Sequence, residues 1–244
     1  MYIHSMKLAL ENILVLDIET VRGTATYDEQ SDRLKAQWDR KSSFISKDGE
    51  QTPTETYADR GGIYAEFGQV ITISAGFFTK AEGEWHFRVR GLANNDEATL
   101  LSDFNDLLNK FDQTKLILCA HNGKEFDFPY LSRRMLVNSV PLPSVLDISG
   151  KKPWEVNFLD TMELWKFGDR KNFTSLELLT TIFDIPSSKS TIDGSQVGAA
   201  YYEDGALDQI AAYCSQDVIV TAQLLLRLNQ MSILPENNIH IINN

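Results

Sequence analysis

Two carboxylates two residues apart carry the first hint of chemistry in this chain. Asp17 and Glu19 stand in Ile13-Leu14-Val15-Leu16-Asp17-Ile18-Glu19-Thr20. Successive strand side chains point to opposite faces, so the two acids share one face and Ile18 takes the other. An apolar run without polar alternation is the pattern of a central strand covered on both sides. Like charges side by side near the end of such a strand cost free energy unless a cation sits between them. A divalent metal ion is the simplest such cation. The same residues also suit a strand that ends and gives way to a solvated loop, and the pair alone leaves both readings open.

Two further acids have comparable settings. Asp127 follows Asn122-Gly123-Lys124-Glu125-Phe126, just past the end of a second apolar strand. Strand ends that run into helix starts collect ligands in open α/β sheets, and the first helical turn favours a carboxylate. An ordinary N-terminal Asp would look the same. Asp217 lies four residues after Tyr213, which puts both on one helix face. It is followed by Val218, Ile219 and Val220, so an unpartnered carboxylate there would be costly, and a hydrogen-bonded core Asp is the plain alternative. Together Asp17, Glu19, Asp127 and Asp217 offer hard oxygen donors without His or Cys, a set that suits Mg²⁺ or Mn²⁺. Carboxylates around two such ions can activate a water and stabilise a leaving oxygen in phosphodiester cleavage. His121 is read as a structural strand-end residue, because nothing supplies it with partners for a zinc site.

The elements that must position these residues follow from periodicity. Residues 70–78 and 85–92 form two strands around a turn at 81–84, a hairpin signal. Leu100, Leu101, Phe104, Leu107, Leu108 and Phe111 fall at helical spacing in 96–111. Residues 115–122 are a fourth strand, followed by a helix over about 126–137 that Pro141 and Pro143 close off. A short fifth strand precedes Leu159-Asp160-Thr161. Thr174 or Ser175 caps a helix running to Phe183, residues 187–200 are loop, and a long helix spans about 207–228. The tail after Pro235 is polar and is expected to fray. Residues 22–68 form a long polar insertion: 27–41 hold a helix, 42–62 read as loop, and the whole is expected to have an ordered role near the site. The order of elements predicts a single α/β domain over 1–244, a mixed sheet with helices on its faces.

Composition narrows the function classes. The chain has 244 residues, a net charge of −11 and two cysteines. That acidity argues against electrostatic coating of nucleic acid, which needs a basic stripe. It is compatible with an enzyme that holds one strand end through metal ions. The N-terminus has no secretory pattern and no stretch suits a membrane span, so a cytoplasmic protein with reduced Cys119 and Cys214 is expected.

Asp17-x-Glu19, then Asn122-x-x-x-Phe126-Asp127, then Tyr213-x-x-x-Asp217 resembles the three-motif signature of the DEDDy 3′–5′ exonucleases. More narrowly, the chain resembles the predicted exonucleases related to the proofreading domain of bacterial family-B DNA polymerases. Residues 63–71, 158–161, 175–179 and 189–194 support the likeness. Ala212 stands where the histidine variant would place its His, which makes this the tyrosine type. The resemblance implies a ribonuclease H-like fold with a five-stranded mixed sheet flanked by helices. It implies that Asp17, Glu19 and Asp217 hold a first metal that carries the attacking water. Asp17 would bridge to a second, with Asp127 acting on it through water. Tyr213 would orient the attacking water, since a phenol with pKa about 10 is a poor base at neutral pH. Asn122 and Phe126 would contact the terminal nucleotide, with Phe126 as plain core the alternative, and Thr20 would offer its backbone or hydroxyl. Lys124, Arg133, Arg134, Lys151, Lys152, Arg170 and Lys171 are candidate phosphate contacts unless they are merely solvated. The implied substrate is the 3′ end of single-stranded nucleic acid, DNA favoured over RNA, with a replication or repair protein as a possible further partner. The alternatives are a ribonuclease D-like enzyme trimming RNA 3′ ends and a non-catalytic binding module on the same fold.

Overall fold

The computed structural model describes residues 8–46, 50–169, 173–186, 194 and 196–242. The chain runs β1 (Ile13–Arg22), α1 (Asp32–Ile45), α2 (Pro53–Arg60), β2 (Gly68–Ala81), β3 (Glu84–Ala93), α3 (Glu97–Leu108), β4 (Ile117–Ala120), α4 (Asp127–Val137), β5 (Phe158–Asp160), α5 (Thr161–Lys166), α6 (Leu176–Ile182), α7 (Val197–Tyr202), α8 (Leu207–Leu228) and β6 (Ile239–Ile241). The strands lie in the order β5-β4-β1-β2-β3-β6. β1, β2 and β3 are antiparallel neighbours, while β4 runs parallel to β1 and β5 parallel to β4. The result is a mixed sheet flanked by helices, with one strand more than expected. The addition is β6, which pairs parallel with β3 through Phe87 and Ile239 and lies in the tail expected to fray. Asn238 anchors it by donating from its side-chain amide to the Trp85 carbonyl at 2.9 Å.

β1 is buried on both faces, as its unbroken apolar run requires. Leu14, Leu16 and Ile18 face a core with Leu101 and Phe104 of α3 and Leu131 and Met135 of α4. Ile13 and Val15 face the other way, onto Val218, Ala222 and Leu225 of α8. The long helix is therefore the lid of the face that also bears Asp17 and Glu19. It comes close because Gly91 of β3 has no side chain: a Cβ there would lie 2.8 Å from Ser215 Oγ, which itself bonds Ser74 across the gap at 2.9 Å.

β1 does not end at the acid pair but runs on to Arg22. Its parallel pairing with β4 stops at Val15 opposite Cys119, and beyond that only β2 accompanies it. The register breaks at Glu19/Thr20, where Glu19 faces Thr72 and Thr20 faces Val70. Such a bulge bends a strand and re-aims side chains, and here it falls beside the acids.

The insertion holds more structure than expected. Residues 42–62 contain α2, closed at its start by a capping box between Thr52 and Glu55. Trp38, Tyr57 and Phe67 form a separate aromatic core, joined by Tyr27 and Tyr64. Trp38 Nε1 donates to the Pro53 carbonyl at 2.8 Å and so ties the middle of α1 to the start of α2. The arm returns to the sheet at Gly62, whose carbonyl accepts from both Thr20 Oγ1 and Tyr130 Oη at 2.9 Å. Part of the stretch read as loop at 187–200 is helix α7, which packs Val197 and Ala200 against Val21. Residues 187–193 lie outside the described residues, as do Arg170 and Lys171.

Candidate active site

Carboxylate oxygens of Asp17, Glu19 and Asp217 lie within 4.8 Å of one another. β1 supplies the first two at a spacing of two, and α8 supplies the third across the face they share. Asp17 is half-buried, and its Oδ2 is buried with no hydrogen-bond partner among the described residues. A buried carboxylate oxygen without a donor is expensive, so the site is built for something that is neither water-exposed nor part of the chain. Three hard, anionic oxygens around one point fit Mg²⁺ or Mn²⁺ by donor chemistry.

Asp127 is not one of the three but stands beside them, at the edge of β1 where the pairing with β4 has ended. It is 3% exposed at the start of α4, and its Oδ1 accepts the Ile18 N–H at 3.2 Å. Ile18 is the residue between the two acids of β1, so the bond fixes the start of α4 to the strand at that point. The titration behaviour follows from the geometry. Burial, then the charges of Asp127, Glu19 and Asp217, push the Asp17 carboxyl well above its ordinary range. Burial, with Asp217 and Asp127, does the same to Glu19. Burial raises Asp127 to about 7, and raises Asp217 to about 6 against the opposing hydrogen bond from Tyr213. The Tyr213 phenol is pushed up by burial and by the charges of Asp217 and Glu19, so it stays protonated at neutral pH and donates to Asp217. Cys214, between them on α8, is buried and donates to the Asp17 carbonyl at 3.3 Å.

The loop after β4 brings Asn122 and Phe126 to the same end of the sheet. Asn122 has a left-handed backbone with φ 62°, and its Oδ1 is buried without a partner. Phe126 is half-buried against Tyr130, with ring centroids 5.4 Å apart, so it belongs partly to the core. Thr20 donates its hydroxyl to the Gly62 carbonyl, so what it can still offer is its backbone and the accepting lone pairs of that oxygen. His121 bridges Thr161 Oγ1 at 2.8 Å and the Thr174 carbonyl at 2.9 Å, a structural arrangement.

The expected phosphate contacts divide. Arg134 is half-buried, its Nε and one terminal nitrogen bond the Glu97 carboxylate and the other donates to the Ala65 carbonyl, so it ties α4 to α3. Lys124 pairs with Glu163 at 2.6 Å. Arg133, Lys151 and Lys152 are exposed. Arg22 was not anticipated. It is half-buried near the end of β1, with its guanidinium over the Tyr202 ring at 4.7 Å. None of the described helices is long and apolar enough to cross a membrane.

No curated protein matches the chain. The family B DNA polymerase from the hyperthermophilic archaeon Pyrobaculum calidifontis is similar over 93% of this chain, at 16% identity and a TM-score of 0.48. The chain spans 27% of that polymerase's length. The matched family covers residues 63–238, a stretch that carries Asn122, Phe126, Asp127, Tyr213 and Asp217. Asp17 and Glu19 precede it and join the others only through the fold. The chain belongs to the family of predicted 3′–5′ exonucleases related to the exonuclease domain of PolB.

Proposed function

We propose that the protein hydrolyses single-stranded DNA from its 3′ end and releases 5′-mononucleotides, with two divalent ions, Mg²⁺ or Mn²⁺, as cofactors. The observation that carries this reading is the convergence of Asp17, Glu19 and Asp217 within 4.8 Å around a partnerless Asp17 oxygen. Asp17, Glu19 and Asp217 would hold one ion, and Asp17 with Asp127 would serve the second. When bound, such ions lower the pKa of water and neutralise charge on phosphoryl oxygens.

The chain's own groups do the rest. Tyr213 keeps its proton, gives it in a hydrogen bond to Asp217, and retains oxygen lone pairs that can accept from an incoming water. It therefore positions that water and does not deprotonate it. The water oxygen bonds to phosphorus as the P–O3′ bond breaks; the water gives up a proton to bulk water, the departing O3′ takes one from it, and the shortened strand leaves with a 3′ hydroxyl. Asn122 and Phe126 stand where the terminal nucleotide would be held, by hydrogen bonding and by stacking. Family membership supports the polarity and the class of reaction. The relation to a DNA polymerase domain supports DNA over RNA.

Matched DNA and RNA strands with a free 3′ end and a labelled 5′ end, incubated with Mg²⁺ or Mn²⁺, test the reading. A DNA ladder shortening from the 3′ end with 5′-mononucleotides as product is expected. Faster loss of RNA would transfer the substrate to the ribonuclease D-like alternative, and no cleavage of either would leave a binding module.

A further inference from the structure

We propose that Asp160, which lies outside the carboxylate cluster, is a positioning residue for substrate binding: it locks the turn at 122–124 so that Asn122 is presented to the terminal nucleotide. The inference rests on the exonuclease reading for its consequence, but the lock itself is visible in the fold. Asp160 ends β5 and is 2% exposed. Its Oδ1 accepts the N–H of Met162 at 2.9 Å and of Glu163 at 3.3 Å, which is the ordinary work of a helix cap. Capping alone would leave the other oxygen free. Instead Oδ1 also accepts the Asn122 N–H at 3.0 Å, and Oδ2 accepts the Lys124 N–H at 3.1 Å. One carboxylate thus joins the first turn of α5 to the loop after β4.

That loop is where a lock is needed. Asn122 sits at φ 62°, a left-handed conformation that Asn tolerates better than most residues, and the two bonds from Asp160 pin the turn in that form. Its carbonyl accepts from Glu125 N–H and Phe126 N–H, so the turn in turn sets the approach to α4. Its Oδ1 is buried and has no partner. Asp127 has its own anchor, the Ile18 N–H on β1. Asp160 bonds the Asn122 and Lys124 N–H groups directly and reaches Asp127 only through its charge, so its loss disturbs Asn122 first and Asp127 second, and binding more than chemistry.

Two variants separate the cap from the lock. Asp160→Ser keeps a cap oxygen for α5 but is too short and has too few oxygens to reach Asn122 and Lys124. Asp160→Asn can keep the Oδ1 bonds and sets an amide N–H₂ against the Lys124 N–H. The assay is initial 3′ cleavage of a 5′-fluorescein oligothymidylate with Mn²⁺, beside hydrogen exchange of the 121–126 segment and a melting curve. The expected result for Asp160→Ser is a KM raised on the order of tenfold with kcat within about threefold, and Asp160→Asn between it and the wild type. Exchange should quicken at 121–126 while α4 beyond it stays protected. Unchanged exchange at 121–126 in Asp160→Ser overturns the lock, and a fall in kcat at constant KM overturns its link to binding. Should the wild type cleave nothing, the exonuclease reading fails, and the exchange arm still decides whether Asp160 holds the turn.

Discussion

Asp17 is the side chain on which the site turns. It contributes to the trio, carries the partnerless oxygen, and feels the charge of each other acid in the cluster. Replacing it by the near-isosteric Asn should have two opposite effects. Activity should fall by more than the ~10–100-fold that loss of an outer metal partner costs. The metal-free protein should melt at a higher temperature, because one of several crowded, buried carboxylates has become neutral. A melting curve in chelator that drops instead would show that Asp17 is held by something other than a cation. Tyr213→Phe removes a hydrogen bond but no ligand, so the loss of turnover should be smaller, on the order of 10–100-fold, with KM little changed. A loss equal to that of Asp17→Asn, read in the same steady-state assay, would make the phenol more than a positioning group. Much at this scale was legible in spacing. Two apart on a strand and four apart on a helix put Asp17 with Glu19 and Tyr213 with Asp217, and the structure shows both pairs so placed. What spacing could not show are bonds between residues remote in sequence. The engagement of Thr20 by Gly62, of Arg134 by Glu97 and of Asn122 by Asp160 depends on which loops the fold brings together.

At the scale of elements, the site is a meeting of β1, α4 and α8 at the point where β1 outruns its parallel neighbour. β1, β2, β3 and α8 were readable because each is long and strongly periodic or uniformly apolar. α5 and α7 were not, since six residues have too few turns to display a period, while α2 does carry a start signal, Pro53 within the Thr52–Glu55 capping box, inside a stretch whose composition reads as loop. β6 is three residues in an Asn-rich tail, and only its pairing with β3 makes it a strand. The arm over 24–67 packs around Trp38, which is fully buried, with the Tyr57 ring 5.3 Å and the Phe67 ring 4.9 Å away, both edge-on. Trp38→Ala should cost the arm roughly 3–5 kcal/mol. Because the aromatic core of the arm is separate from the two cores of the sheet, the damage should stay local. Limited proteolysis should then cut within 24–67 while the sheet resists. Protection of the arm equal to that of the wild type would mean that its fold does not depend on this core.

For the whole molecule, the decisive property is charge held out of water. Burial raises Asp127 to about 7 and Asp217 to about 6, from 3.8, so the folded chain binds more protons than the unfolded one across that window. Stability contributed by these groups is therefore lost as pH rises from about 4 through about 7, the opposite of a salt-bridged carboxylate. Metal-free protein should melt on the order of several degrees lower at pH 8 than at pH 5, and Mn²⁺ at pH 8 should restore most of the difference. Equal melting temperatures at the two pH values would place the acids in a better-solvated setting than the fold shows. The net charge of −11 adds a uniform repulsion, and the cluster concentrates it at one end of the sheet. The central claim is that this concentrated charge is a metal site that drives hydrolysis from a 3′ end. The most direct test pairs Mn²⁺ binding, by calorimetry, with cleavage of 5′-labelled single-stranded DNA in the wild type and in Asp17→Asn. The wild type should bind Mn²⁺ and shorten the strand from its 3′ end, and the variant should lose both together. A variant that cleaves at the wild-type rate, or a wild type that cleaves without any divalent ion, would contradict it.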